Sequence, residues 1–394
     1  GAYAFPEEIL RNSQRLHARQ RLLGFNAIRA NPQICGYNLT GMLDHGMTGE
    51  GAWTFWRELK PAIADALTDG WAPLRWCLFV EPTHVYAGQP FQLDVVLANE
   101  DVLAPGNYPA RLRIIGPQGI VWERSTTVNI PQPAPSQEGP LAVPVLNETV
   151  ALAVPTGAYE LVANLTHGAA PAGGRLKFYV TEPNAPFAQS RQIHQWGLPG
   201  EAVRWLATHG VICTPFGTES AQADVILVGE PEQSDSLDQQ WSLLLQQVSQ
   251  GATAIFLAPD ALKQGEDAIG RLPLAERLHF TPFHDWLYHK ECVAKPHRLF
   301  TGLAAPGIMD WDYYGPVIPH AFFTDQETPE DVAAAAFAVG YSCPGGYASG
   351  LLLAAYQWGA GRLLLNTLRI LENLGTHPAA GPLLLNLITQ DNNG

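Results

Sequence analysis

Ala223-Asp224-Val225-Ile226-Leu227-Val228-Gly229 and, further on, Ala252-Thr253-Ala254-Ile255-Phe256-Leu257 frame the stretch that decides the fold of the second half of this chain. Both are short, continuous apolar runs, the pattern of strands buried on both faces of a parallel sheet. Between them Leu237, Trp241, Leu244, Leu245 and Val248 follow spacings of four, three, one and three, which is one face of a helix, and Gly251 supplies the stop. Strand, helix, strand in this order implies a parallel crossover. Upstream, Ala202, Val203 and Leu206 form a helical stripe ending at Gly210, and Val211 to Thr214 reads as a short strand. Downstream, 350–356 and 362–365 read as antiparallel strands around the turn Trp358-Gly359-Ala360-Gly361, and Pro378 opens a final helix with Leu383, Leu384, Leu387 and Ile388. Residues 187–394 are therefore expected to form an α/β domain, a mainly parallel sheet covered by helices.

Pro183-Asn184-Ala185-Pro186 marks a linker, and the pattern before it differs. Phe91, Leu93, Val95 and Leu97 alternate with more polar residues, as do Ala110, Leu112 and Ile114, with Arg111 and Arg113 directed outward. Tyr159, Leu161, Ala163 and Leu165 repeat the alternation, and Leu176, Phe178 and Val180 close it. Short alternating strands separated by Gly and Pro turns predict an antiparallel, immunoglobulin-like sandwich over 76–182, with 131–140 as a loop inside it. Residues 1–75 read as helix, strand, loop and helix. Pro6 can open a helix carrying Ile9, Leu10, Leu16 and Leu23, Ile34 to Leu43 reads as a buried strand, and Pro61 precedes a helix over 62–67.

Composition narrows the function. The chain has 394 residues, too many for one ordinary domain. A net charge of −14, with no basic stripe, argues against a nucleic-acid partner. No apolar run approaches the roughly 20 residues that would span a bilayer. Gly1-Ala2-Tyr3 has neither an initiator Met nor the basic and apolar regions of a signal peptide, so the chain is expected to begin at a boundary. Cys35, Cys77, Cys213, Cys292 and Cys343 are scattered and odd in number, giving neither a zinc knuckle nor a disulfide framework. No cofactor is expected.

Three stretches, in this order, resemble glycoside hydrolase family 2 and its relatives. Gly36-Tyr37-Asn38-Leu39-Thr40-Gly41-Met42-Leu43-Asp44, followed by a Gly-rich loop and Leu59-Lys60-Pro61-Ala62, resembles the last strand and closing helix of the catalytic barrel. A sandwich follows directly, as in that modular order. Gly251 to Leu257, His297-Arg298-Leu299-Phe300-Thr301-Gly302-Leu303, Met309 to Tyr314 and Leu364 to Leu371 are similar to the class I glutamine-amidotransferase-like domains appended to such enzymes. The resemblance implies a multidomain chain: a partial (β/α) barrel remnant over 1–75, the immunoglobulin-like sandwich, and a flavodoxin- or amidotransferase-like α/β domain over 187–394. It also implies that the two catalytic glutamates lie on barrel strands before Gly1, since a full barrel needs about 250 residues. Retaining hydrolysis needs two carboxyls about 5 Å apart. Of Glu7, Glu8, Asp44, Glu50, Glu58, Asp65 and Asp69, only Asp44 follows a barrel-type strand. The chain alone is thus expected to be inactive.

The candidate sites each have two readings. Thr40, Asp44 and His45 stand where a barrel places sugar contacts; alternatively Asp44 caps its loop through backbone amides. Trp311 and Tyr313, in Asp310-Trp311-Asp312-Tyr313-Tyr314, could stack on a sugar or pack an interface. His279, His284, His289, His297 and His320, with Asp285 and Asp310, lack the spacing of a metal site. Gly340-Tyr341-Ser342-Cys343-Pro344 departs from a nucleophile elbow at its final Pro, and Ala258-Pro259-Asp260 offers no nucleophile after its strand. Two functions remain open. One is the accessory end of a glycoside hydrolase, binding carbohydrate in the parent enzyme and either self-associating or contacting the rest of the barrel. The other is a carbohydrate-binding or scaffold protein without hydrolytic activity.

Overall fold

In the computed structural model the described residues are 1–34, 36–39, 41–44, 49–135, 139–217, 225–276, 279–282, 289–339 and 347–389. The chain is a mixed α/β protein with more strand than helix, and it divides into two compact units. One is Phe5–Pro183; the other is Asn184–Gly394 together with Gly1–Ala4.

The first unit begins with two helices, α1 (Pro6–Arg29) and α2 (Ile63–Gly70). Eight strands follow: β1 (Leu74–Glu81), β2 (His84–Tyr86), β3 (Pro90–Asn99), β4 (Gly106–Gly116), β5 (Gly119–Ile130), β6 (Ala142–Ala151), β7 (Gly157–Leu165) and β8 (Arg175–Thr181). They make a three-stranded sheet, β1-β3-β6, and a five-stranded sheet, β2-β8-β7-β4-β5. All pairings are antiparallel except β2 with β8. The alternating residues do what their period requires. Leu93, Leu97 and Leu78 from one sheet meet Leu112, Ile114, Leu161 and Phe178 from the other in a single core, each at most 1% exposed. Burying such a side chain contributes about 1.5–3 kcal/mol. Arg111 stays in solvent, while Arg113 is half-buried and donates to Asn164 Oδ1 at 3.0 Å.

A buried polar network ties the helices to this sandwich. Arg75, 2% exposed, donates to Asn26 Oδ1 at 2.7 Å and to Asp69 Oδ1 at 2.9 and 3.1 Å. Asp69 Oδ2 accepts from the Gly173 amide at 2.9 Å, and Asn26 Nδ2 donates to Leu78 O at 3.0 Å. Arg29 donates to Gly70 O and Ala72 O and pairs with Glu100. The buried strand expected from Ile34 to Leu43 is not present among the described residues. That segment has one isolated bridge, Leu43 to Trp53, and Tyr37, Met42 and Leu43 are 39%, 52% and 37% exposed. An apolar run becomes a central strand only when neighbours satisfy its backbone on both sides, and among the described residues this one pairs with Trp53 alone, at its end.

The second unit carries β9 (Arg191–Trp196), α3 (Gly200–Thr208), β10 (Val211–Pro215), β11 (Val225–Val228), α4 (Leu237–Ser249), β12 (Thr253–Phe256), β13 (His279–Pro282) and β14 (His289–Ala294). After these come β15 (Gly307–Ile308), α5 (Trp311–Tyr314), β16 (Ala321–Thr324), β17 (Asp331–Val339), β18 (Tyr347–Trp358), β19 (Gly361–Asn366) and α6 (Ala380–Ile388). The sheet has 11 strands in the order β10-β9-β11-β12-β19-β18-β17-β14-β15, with β16 beside β18 and β13 beside β16. The first five are parallel. Taken in chain order they run 2-1-3-4-5, the order of flavodoxin-like doubly wound sheets. Their alternate residues enter different cores: Leu227, Ile255 and Leu364 pack toward α6, whereas Ile226, Val228, Phe256 and Leu365 pack toward Trp241, Leu244 and Val248 of α4. A strand with two buried faces needs apolar residues at every position, which is why these runs are continuous.

The expectation of a mainly parallel sheet holds for only those five strands; β18 and everything beyond it is antiparallel. The sequence pattern assigns no strand between 258 and 349. β17, Asp331-Val332-Ala333-Ala334-Ala335-Ala336-Phe337-Ala338-Val339, has alanine, the strongest helix former, at five of its nine positions. Pairing with β14 on one side and β18 on the other overrides that preference, and Ala333, Ala334 and Ala336 lie buried in the core.

Candidate functional site

The parallel strands end along one edge of the sheet, and their loops build a crevice of about 650 Å³ there. After β9 comes Gly197-Leu198-Pro199, after β11 Gly229-Glu230, after β12 Leu257-Ala258-Pro259-Asp260, and after β19 Thr367-Leu368-Arg369-Ile370. The order reverses between β9 and β11, the place where open α/β sheets form a ligand crevice. Two glycines let these loops touch. Gly197 has φ +72, and a Cβ on Gly229 would stand 2.3 Å from Gly197 O. The Glu230 amide then donates to Gly197 O at 2.9 Å.

At the other end Asn366, fully buried, closes the β19 turn. Its Oδ1 accepts from the Leu368 amide at 3.1 Å, and its Nδ2 donates to Leu368 O at 3.0 Å and to Leu257 O at 3.4 Å. That fixes the backbone carrying Arg369. The Arg369 guanidinium donates to Glu372 Oε2 through Nε at 2.6 Å and also through Nη2. Its Nη1 lies 3.1 Å from His320 Nε2. Arginine cannot accept, so His320 Nε2 is the acceptor in this contact. Phe280 forms part of the apolar wall and is held by Phe323, ring centroids 5.1 Å apart.

Glu201, Glu230, Glu232, Asp260 and Glu372 also border the crevice, all exposed. Five carboxylates against one guanidinium already engaged by Glu372 make the lining acidic. Neither Cys nor Ser follows β12, where Ala258-Pro259-Asp260 enters a short 3-10 turn. Cys213 lies on β10, and burial pushes its thiol up, away from the thiolate form. Cys292 is buried within β14. Among the described residues no group of three or more His, Cys, Asp or Glu could hold a metal ion. No described helix is long and apolar enough to cross a membrane.

The residues singled out from sequence lie elsewhere. Asp44 Oδ1 accepts from Lys60 Nζ at 2.9 Å and from the Gly51 amide at 2.8 Å. Lys60, its side chain 3% exposed, donates also to Gly49 O at 2.6 Å. Gly51 is required there, because a Cβ would meet the Asp44 amide nitrogen at 2.4 Å. Thr40 and His45 lie outside the described residues, as do His284, Asp285 and the Gly340–Pro344 turn. Trp311 is 60% exposed, and Tyr313 packs edge-on against Tyr314 at 4.9 Å; neither borders the crevice. Tyr314 is buried with its hydroxyl donating to Ala304 O, and burial raises its pKa far above the ordinary value. Asp310 accepts from the Asp312 amide at 3.1 Å at the head of α5. His297 caps a 3-10 turn, its Nδ1 accepting from the Leu299 amide and its Nε2 2.8 Å from Asp331 Oδ2. Of the histidines named in the sequence, His320 borders the crevice.

No protein-family model matches the chain, and no curated protein does. Solved structures that resemble it in part include glycoside hydrolases. An exo-β-1,4-mannosidase from Opitutaceae bacterium strain TAV5 is 14% identical over 48% of this chain and 32% of its own, at TM-score 0.26. A glycosyl hydrolase family 2 member from Bacteroides cellulosilyticus is 11% identical over 47% and 32%, at TM-score 0.20. A CARDB domain from Pyrococcus furiosus is 14% identical over 28% of this chain and 89% of its own, at TM-score 0.20. The chain spans about a third of the length of these hydrolases. Scores this low do not amount to a shared overall fold, and no function is carried over from them.

Proposed function

We propose that this chain is the non-catalytic C-terminal part of a carbohydrate-active glycoside hydrolase. Residues 1–75 would be the end of the catalytic barrel, the immunoglobulin-like sandwich would brace it, and an amidotransferase-like α/β domain without its nucleophile would serve packing or oligomerisation. The observation that carries this reading is the clasp between Asp44 and Lys60. Asp44 and Lys60 of the barrel-like stretches bind each other, and Asp44 also accepts from the Gly51 amide, so the carboxylate is spent on holding its loop. A retaining pair needs a second carboxyl about 5 Å away and one member kept protonated by burial. The crevice carboxylates of the α/β unit are exposed and do not meet the second condition.

The test is turnover of a panel of nitrophenyl glycosides by the full chain. None is expected. Turnover abolished by Glu230→Gln or Asp260→Asn would overturn the reading and move the chemistry to the crevice.

A further inference from the structure

We infer that the crevice at the carboxyl ends of β9, β11, β12 and β19 binds a neutral saccharide of one or two sugar units. Its volume of about 650 Å³ lies within the range of small-molecule sites, about 300–1,000 Å³. It sits at the switch point of the sheet, where the fold leaves a crevice without further design. What differs from the usual occupants of that place is the charge. Nucleotides and other phosphates are received there by backbone amides and cations, whereas this lining presents Glu201, Glu230, Glu232 and Asp260 to solvent and neutralises Arg369 with Glu372. An anion would be repelled.

A saccharide has the opposite needs. Its hydroxyls donate to carboxylates and accept from a guanidinium, and both groups line this crevice. Its C–H face calls for an aromatic surface, which Phe280 supplies, backed by Phe323. Asn366 acts as a positioning residue, holding the turn from which Arg369 projects. The choice of a saccharide over other neutral polar ligands rests on the carbohydrate reading above; the acidic crevice itself does not.

The experiment is saturation-transfer NMR and calorimetry on the full chain with maltose, cellobiose and lactose, and with inorganic phosphate and spermidine as counter-probes. At least one sugar should bind with a Kd of about 1 mM or tighter. Phe280→Ala should weaken it roughly tenfold at a temperature where the variant stays folded, and Asp260→Asn with Glu230→Gln should weaken it by a similar factor with a thermal midpoint close to that of the parent. Phosphate should not bind. Absence of any sugar signal in the folded chain, or tighter binding of phosphate or spermidine than of any sugar, would overturn the inference. Glycoside turnover would instead sink the non-catalytic reading while leaving a saturable sugar signal at Phe280 intact, so the two failures are distinguishable.

Discussion

The two units use charged residues in opposite ways. In the Phe5–Pro183 unit, Arg75, Arg29 and Lys60 are buried, and each is tied to carboxylates or carbonyls in the same unit. Around the α/β crevice, Glu201 in the first turn of α3 and Glu230, Glu232 and Asp260 beyond the ends of strands whose own backbone is already paired are all exposed. A buried ion that loses its partner is left in a medium that penalises charge, whereas an exposed one is simply rehydrated. The first arrangement therefore holds a fold together; the second leaves groups available to a ligand. Substitutions should separate the two by their effect on stability.

The largest effect is expected at Arg75. Arg75→Met removes the donor to Asn26 and Asp69 and strands a carboxylate beside a buried strand, which should destabilise the first unit by about 3–5 kcal/mol in urea unfolding. Replacing Arg75 and Asp69 together by apolar residues should cost less than Arg75 alone, because no charge is left unpaired. A smaller loss from the single variant would mean that the network is solvated and that the contrast is weaker than drawn.

Lys60→Met comes next. It leaves the Asp44 carboxylate with the Gly51 amide and removes the Lys60 bond to Gly49 O, and about 2 kcal/mol of destabilisation is expected. Limited proteolysis should then open the loop near residue 50 before any other site in this unit. Cleavage elsewhere first would show that the clasp does not govern that loop.

Asn366→Leu tests the α/β unit with the same logic but at the rim of the crevice. Filling the volume with an apolar side chain leaves the Leu368 amide without its acceptor, for a loss of about 1–3 kcal/mol. Sugar binding should weaken in parallel, since the backbone that carries Arg369 would no longer be fixed. Unaltered affinity in a destabilised variant would confine Asn366 to folding.

The same contrast explains what could be read from the sequence. The runs 225–228 and 253–256 and the stripe of α4 were legible because a strand buried on both faces, and a helix packed on it, leave no freedom in residue type. The alternation at Phe91–Leu97 and Tyr159–Leu165 was legible because one side of each sheet faces a shared core. β17 was not, since alanine favours helix locally and only its pairing with β14 and β18 makes it a strand. Ile34 to Leu43 misled in the opposite direction, because apolar composition does not supply neighbours. The crevice was invisible for a different reason. Glu201 in the first turn of α3, Asp260 in a 3-10 turn, and Glu230 and Arg369 in loops are separated by up to 168 positions (369 minus 201), and only the 2-1-3-4-5 strand order gathers them. One signal did exist. Glu230, Asp260 and Arg369 each stand within four residues of the end of a parallel strand, where doubly wound sheets place their ligand contacts.

The smallest effect on stability should come from the crevice carboxylates themselves. Asp260→Asn and Glu230→Gln change exposed groups at loop positions and should shift unfolding by no more than about 0.5 kcal/mol. This near-zero value is as informative as the large one at Arg75. A protein that keeps several like charges around one concavity incurs repulsion that paired burial would avoid, and nothing in folding is gained from it. If neutralising two of them raises stability slightly while weakening sugar binding, the carboxylates are maintained for the ligand. If it lowers stability by more than 1.5 kcal/mol, a value on the scale of a lost hydrogen bond, they are structural after all, and the difference between the two units disappears.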